Sequence, residues 1–263
     1  MPFAPCALRI NSPAHLHAQA ECPHALATER IMHTTETTPN LPIIFEDDHV
    51  LVIDKPHDIL SQADHTGDPD VSGLCKQYLS SKKNKKGNAY LGLVHRLDRP
   101  VGGLMLLAKT PKAAGRLSQQ LRDRIIQKTY WAVTPGTPPA SGVLTHSLLK
   151  DRASNTVQTV PAGDKRGREA VLSFIRLQQS GGLTLLSIHL QTGRPHQIRV
   201  QLAEEGYPIW GDYKYGSQNQ DEGRTIALRA VELIFEHPIL KKEIRLTLPP
   251  PHLEPWNAFD VSL

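Results

Sequence analysis

Tyr90-Leu91-Gly92-Leu93-Val94-His95-Arg96-Leu97-Asp98-Arg99-Pro100-Val101-Gly102-Gly103-Leu104-Met105-Leu106-Leu107-Ala108 is the stretch on which the reading of the fold turns. Two apolar runs, Tyr90 to Val94 and Leu104 to Ala108, each suit a strand, and Gly102-Gly103 marks a break ahead of the second. The expected order is therefore strand, exposed turn carrying Asp98, strand. Arg96 and Arg99 flank that carboxylate, and neighbouring guanidinium groups favour its charged form, so Asp98 reads as a nucleophile or base and not as a proton donor. The plainer alternative is a solvated turn with a surface ion pair.

Working toward the N-terminus, Ile43 to Glu46, a turn at Asp47-Asp48 and Val50 to Ile53 form a predicted hairpin ending at Lys55-Pro56. Apolar groups at Val71, Leu74, Cys75 and Tyr78 have helical spacing. The run Lys82-Lys83-Asn84-Lys85-Lys86-Gly87 is a charged loop, either a solvated linker or a phosphate-contacting arm. Residues 1–40 carry several prolines and no sustained apolar periodicity or signal-peptide core, so a disordered tail is expected, with Met32 an alternative start. Toward the C-terminus, Thr110-Pro111 supplies a hydroxyl N-cap and a proline at the first helical position. The helix it starts runs to about Arg124, with Ala114, Leu117 and Leu121 inward and Arg116, Arg122 and Arg124 outward.

Lys128 to Val133 alternates like a strand. A Pro/Gly loop from Gly136 to Gly142 follows, then a hairpin between Val143 and Val160 and a basic connection through Lys165, Arg166 and Arg168. Ala170 to Leu177 and Leu183 to Leu190 pair across Gly181-Gly182, and Gln191 to Pro195 breaks the strand and launches a helix with Pro195 in its first turn. Ala230 to Phe235 and Glu243 to Leu248 close the chain as strands. The fold class this implies is α+β: a mixed, largely antiparallel β-sheet with flanking helices and a central catalytic cleft, in one domain over residues 41–263.

The 263 residues carry a formal charge of +4, a pI near 8.9 and 39% hydrophobic side chains, with no run long enough to span a bilayer, so a soluble protein that tolerates a polyanionic partner is expected. Cys6, Cys22 and Cys75 form neither a metal-ligand spacing nor a disulfide framework, which fits a reducing cytoplasm. No phosphate-binding glycine loop or dinucleotide fingerprint occurs. His95-Arg96-Leu97-Asp98 differs from a kinase catalytic loop by the extra residue before the aspartate and by Gly103 where a metal-binding asparagine is needed. Thirteen histidines invite a metal site, yet His95 and His196 lack close partners at ligand spacing.

Three further stretches join the tetrad. Lys128-Thr129-Tyr130-Trp131-Ala132-Val133 puts a phenol on a strand, where packing alone would also explain it. Thr192-Gly193-Arg194-Pro195-His196-Gln197-Ile198-Arg199 offers either a helix start with exposed charges or a carboxylate clamp. Gly206-Tyr207-Pro208-Ile209-Trp210-Gly211-Asp212 is a rigid aromatic loop, read as simple packing. In this order the blocks resemble the RluA-type RNA pseudouridine synthases, from about Ile43 to about Pro249 and without an appended S4-like RNA-binding domain.

The resemblance implies that Asp98 is the catalytic aspartate, Tyr130 the tyrosine beside the target base and Arg199 the arginine that pairs with the carboxylate. It further implies that Arg96 fills the space left by the extruded nucleotide, and that His95, Arg194, His196 and Gln197 contact substrate. Val101-Gly102 stands where the family usually has Thr-Ser, and Gln201 where it usually has His. The implied reaction isomerises uridine in ribosomal or transfer RNA, needs no cofactor and no metal, and is expected of a cytoplasmic monomer without a membrane partner. An everted base costs about a few kcal/mol, which backbone contacts must offset. Lys82, Lys83, Lys85, Lys86, Arg122, Arg124, Lys165, Arg166 and Arg168 are the candidates for those contacts. Two rivals are a carboxylate-based hydrolase, which wants a second acid near Asp98, and a catalytically idle RNA-binding or ribosome-assembly factor.

Overall fold

A computed structural model of the chain describes residues 41–82, 89–151, 153–216 and 225–260, and the backbone of 37–38. The chain divides into a unit Met1–Met32 and a unit His33–Leu263, and every described residue belongs to the second. The expected tail, like Lys83, Lys85 and Lys86, thus falls largely outside the described residues.

The predicted N-terminal hairpin is present as β2 (Leu41–Glu46) and β3 (Val50–Lys55), preceded by β1 (Thr37–Thr38), which pairs with β2. Asp47 closes its turn by accepting the backbone N–H groups of His49 and Val50 at 2.7 Å each. Helix α1 (Val71–Lys82) buries Val71, Cys75 and Leu79. β4 (Gly92–Leu93) and β5 (Gly102–Ala108) bracket the Asp98 turn. Helix α2 (Pro111–Arg122) starts as its sequence dictates, Thr110 accepting from the Ala113 N–H at 3.2 Å; a cap of this kind is worth about 1 kcal/mol. Then come β6 (Gln127–Pro135), β7 (Ser141–Asp151), β8 (Thr156–Val160), β9 (Arg168–Ser180), β10 (Leu183–Leu190), α3 (Gln197–Glu204), β11 (Leu228–Glu236) and β12 (Glu243–Thr247).

The strands form one sheet in the order β1-β2-β3-β5-β11-β6-β10-β9-β7-β8, with β12 on β11 and β4 on β5. All pairings given for these strands are antiparallel except β5 with β11, which meet in parallel at Gly102↔Arg229 and Gly103↔Ala230. This seam joins the two halves of the sheet. Alternation sorts the central strands between two cores: Val50, Val52, Leu104 and Leu106 pack with Ala113 and Leu117 of α2, while Leu51, Ile53, Met105 and Leu107 pack with the buried face of α1. Both faces of β3 and β5 are covered, which is why they read as unbroken apolar runs. No helix among the described residues is long and apolar enough to cross a membrane.

Two expectations are corrected. The strand predicted over Tyr90 to Val94 is only Gly92–Leu93, paired with Ala108 and Leu107. Where its ladder would continue, the Leu106 N–H instead donates to His95 Nε2 at 3.0 Å, so a side chain replaces the next rung and frees the backbone to turn. Helix α3 begins at Gln197, not at Pro195. His196 sits at its N-cap with φ 52°, in the left-handed region, and the Gln197 side chain accepts from Thr192 Oγ1 at 2.8 Å and from the Arg194 N–H at 2.9 Å.

Candidate active site

The seam positions the chemistry. Gly103 adopts φ +114°, and a Cβ there would lie 2.3 Å from the Ala230 carbonyl oxygen, so only glycine lets β5 approach β11 this closely. Ala230 also lies opposite Tyr130 on β6, and Tyr130 lies opposite Ile188 on β10, the strand that leads through the 191–196 turn into α3. Gly103, at the foot of the Asp98 turn, and Tyr130 are thus separated by roughly two strand spacings, about 10 Å at the backbone.

The turn is held from below. Lys55, fully buried, donates its ammonium to the carbonyls of Pro56 (2.9 Å), Arg99 (2.9 Å) and Val101 (2.8 Å). Burial brings its pKa down to about 8, against the opposing pull of Asp58, Asp98 and Asp54. Ser61 accepts the Leu97 N–H and donates to the Leu97 carbonyl, and the Val101 N–H donates to the Asp98 carbonyl at 3.0 Å. With its backbone groups satisfied this way, the turn can leave the ladder and project one carboxylate.

Arg199, on α3, donates through Nε (2.8 Å) and Nη2 (2.7 Å) to Asp212 and holds Nη1 3.5 Å from Asp98 Oδ2. Its tightest partner is therefore Asp212, a residue of the fourth motif block to which the sequence alone attaches no role. Asp212 Oδ1 also accepts the N–H groups of Lys214 (3.1 Å) and Tyr215 (3.2 Å). Burial by itself would lower the Arg199 pKa, but the hydrogen bonds and charge of Asp212, with the charge of Asp98, carry it upward. The Tyr215 ring lies under the guanidinium at 5.1 Å, while its hydroxyl meets His196 Nδ1 at 2.6 Å and accepts the Val157 N–H at 2.9 Å. Tyr130 is 5% exposed, and burial first and the Asp98 charge second push its pKa up, so the phenol stays neutral.

Asp98, Tyr130, His196 and Arg199 line a cleft of about 1180 Å³, with Asp212 and Tyr215 behind its wall. Asp98, Tyr130 and Arg199 share its wall with Arg96, His95, Arg194, His196 and Gln197, and Arg122 and Arg124 also line it. Two of these residues have structural duties that the sequence did not reveal. His95 spends Nε2 on the Leu106 N–H, and burial, with the Lys128 charge, brings its pKa down to about 3. Gln197 is 3% exposed, and its amide NH2 donates to the Val171 carbonyl while its oxygen holds the 192–194 turn. The Arg194 Nε donates to the Glu169 carbonyl.

The basic residues divide. Lys82 ends α1 against Glu46 and Tyr78, Arg166 pairs with Asp164 at 2.7 Å, and Lys165 and Arg168 lie apart from the cleft lining. Lys128, Lys150 and Lys214 also line the cleft; Lys128 opens the Tyr130 block, while nothing local in the sequence marks the other two.

The sequence profile of the family described as RNA pseudouridylate synthase matches residues 49–204, a span that takes in Asp98, Tyr130 and Arg199. The chain belongs to that family, as one of its RluA-type members, and is an RNA pseudouridine synthase. It is 33% identical over 229 residues to ribosomal large subunit pseudouridine synthase D of Vibrio cholerae serotype O1, an alignment covering 80% of this chain and 68% of that protein. Over 226 residues it is also 33% identical to ribosomal large subunit pseudouridine synthase C of Buchnera aphidicola subsp. Schizaphis graminum, covering 82% and 70%. Among solved structures, human RNA pseudouridylate synthase domain containing 4 superposes with a TM-score of 0.67 at 25% identity, over 80% of this chain and 88% of that one. Human RNA pseudouridylate synthase domain containing 1 shares the fold, with a TM-score of 0.65 at 21% identity over 81% and 85%.

Proposed function

We propose that Asp98 is the carboxylate that acts on an everted uridine in ribosomal RNA. One observation carries this reading: a guanidinium fixed from behind by buried Asp212 turns its remaining nitrogen toward the accessible Asp98, on a cleft wall shared with a neutral phenol. The reaction breaks the bond from uracil N1 to C1′, rotates the base, forms the bond from C5 to C1′, releases the C5 proton and leaves N1 protonated, with no change of oxidation state. Asp98 serves either by adding to C1′ as the base leaves or by removing a C2′ proton. Arg199 aims it, Tyr130 stacks on the uracil, and Arg96 takes the place that the base vacates.

The cleft exceeds the space that one nucleotide needs, which supports engagement of neighbouring nucleotides by Arg122, Arg124, Arg194, Lys128, Lys150 and Lys214 on its walls. Ribosomal RNA is the substrate class we assign because the two bacterial relatives are named for the ribosomal large subunit, and the form we propose is a cytoplasmic monomer. The hydrolase reading loses ground because Asp212, which shares Arg199 with Asp98, is buried behind the cleft wall with its oxygens taken by Arg199 and two backbone N–H groups, while Asp64, the other carboxylate on the lining, is held below the usual range by hydrogen bonds from Thr66 and so is no proton donor.

The test is incubation with RNA tritiated at uracil C5. Isomerisation releases tritium and leaves pseudouridine in the digest; free uracil would point to a hydrolase, and no release to a binding protein. Pseudouridine mapping of ribosomal and transfer RNA from cells lacking the protein then identifies the target, a loss confined to transfer RNA contradicting the substrate class.

A further inference from the structure

Three consecutive carbonyls of the catalytic turn, those of Arg99, Pro100 and Val101, point away from the sheet ladder, and each is taken by a side chain of the Lys55-Pro56-His57 segment. Lys55 takes the first and third; His57 Nδ1 takes Pro100 at 2.8 Å. Burial, reinforced by the nearby Arg229 and Lys55 charges, lowers the His57 pKa, so the ring is neutral and Nδ1 is the donor. The same ring occupies the space beside Gly102. A Cβ built there would lie 2.9 Å from His57 Nε2 and 3.1 Å from Cδ2, with an Arg229 guanidinium nitrogen at 3.2 Å. Arg229 is itself tied to Asp54 at 2.6 Å, which limits its freedom to yield. Gly102 has no positive φ, so space, not backbone conformation, excludes a side chain.

The geometry points to His57 as a positioning residue for Asp98, one that fills the volume a side chain at position 102 would need. His57 is not among the residues lining the cleft, so it acts through the turn and not on RNA. His57 thus occupies the space that a serine at position 102, usual in the family this chain resembles, would need. The inference rests on the catalytic role proposed for Asp98.

Four variants of the full chain test it by single-turnover tritium release, RNA affinity, thermal melting and amide exchange of the 96–103 peptide. His57→Ala should slow turnover by about 10-fold, the worth of one lost hydrogen bond, with RNA affinity unchanged. His57→Asn, whose Nδ2 stands where the imidazole Nδ1 does, should restore most of the rate. Gly102→Ser should slow turnover comparably by dislodging the ring. The double variant His57→Ala/Gly102→Ser should be no slower than either single, because the serine enters vacated space. Multiplying losses in the double variant, or a loss of RNA affinity in place of rate, would overturn the inference. If the wild type shows no release that depends on Asp98, the proposed function fails instead. Exchange then still decides the role of His57: the Val101 amide should exchange faster in His57→Ala and recover in His57→Asn, and unchanged exchange in both would refute it.

Discussion

Replacing Asp212 by asparagine removes one charge from a buried pair while keeping its shape. Asp212 has no exposed side-chain surface and Arg199 has 6%. Oδ1 accepts three donors, Arg199 Nη2 and the N–H groups of Lys214 and Tyr215, while Oδ2 accepts Arg199 Nε. The asparagine oxygen will therefore take the Oδ1 place, and its NH2 will face the Nε–H, donor against donor. Breaking a buried pair in this way costs about 3–5 kcal/mol, since the guanidinium stays buried without its counter-charge. In a domain of this size each kcal/mol moves Tm by about 2–4 °C, so even the lower figure predicts a fall of roughly 6–12 °C. The Nη1 contact to Asp98, already 3.5 Å long, depends on that anchor. Misplacing a reacting group by about 1 Å is worth on the order of 100-fold in rate, so single-turnover release should fall by about that factor. The assays are thermal melting and tritium release on the same preparations. A Tm within about 2 °C of wild type together with a rate within about threefold would refute the reasoning.

Lys55→Met removes the shared donor of three carbonyls; at about 1–3 kcal/mol per orphaned group, partly offset by burying no charge, the denaturant midpoint should drop by an amount equivalent to about 3 kcal/mol. Lys55→Arg should not rescue it, because a planar fork cannot follow three convergent carbonyls. Stability should also carry a signature of His95. Its folded pKa of about 3 lies below the unfolded value near 6.5, so the unfolded chain binds the proton first; the contribution is complete above pH 6.5 and is lost as pH falls toward 3, at up to about 1.4 kcal/mol per pH unit. Denaturation across that window should show a shallower slope in His95→Gln, and an identical slope would contradict the assignment. Gly103→Ala sets a Cβ against the Ala230 backbone and should destabilise by about 3 kcal/mol or more, visible as a lowered melting temperature.

Much of the frame was legible because it is local. The hairpin at Asp47 and the Thr110 cap each involve residues two or three apart, and the double-sided burial of β5 is written in Leu104 to Ala108. The RluA-type resemblance singled out Asp98, Tyr130 and Arg199, and all three line one cleft. What stayed hidden are contacts that only the closed sheet creates. Lys55 reaches carbonyls 44 and 46 residues away, and the parallel seam at Gly103 has no period in the sequence. Asp212 was in view within its motif, yet a carboxylate beside glycine and tryptophan carries no sign of a guanidinium 13 residues earlier. The basic residues divide, with Arg122 and Arg124 on the cleft lining. Charge runs are conspicuous in sequence, but Arg166 is spent on Asp164 and Lys82 on Glu46, while the isolated lysines at 128, 150 and 214 line the cleft.

The most direct test of the central claim is single-turnover tritium release by Asp98→Asn, measured beside its affinity for the same RNA. The carboxylate is partly exposed and its turn is held by Lys55 and Ser61, so the substitution should leave folding and RNA affinity unchanged while release falls to background. Release at anything near the wild-type rate would contradict the assignment of the chemistry to this turn.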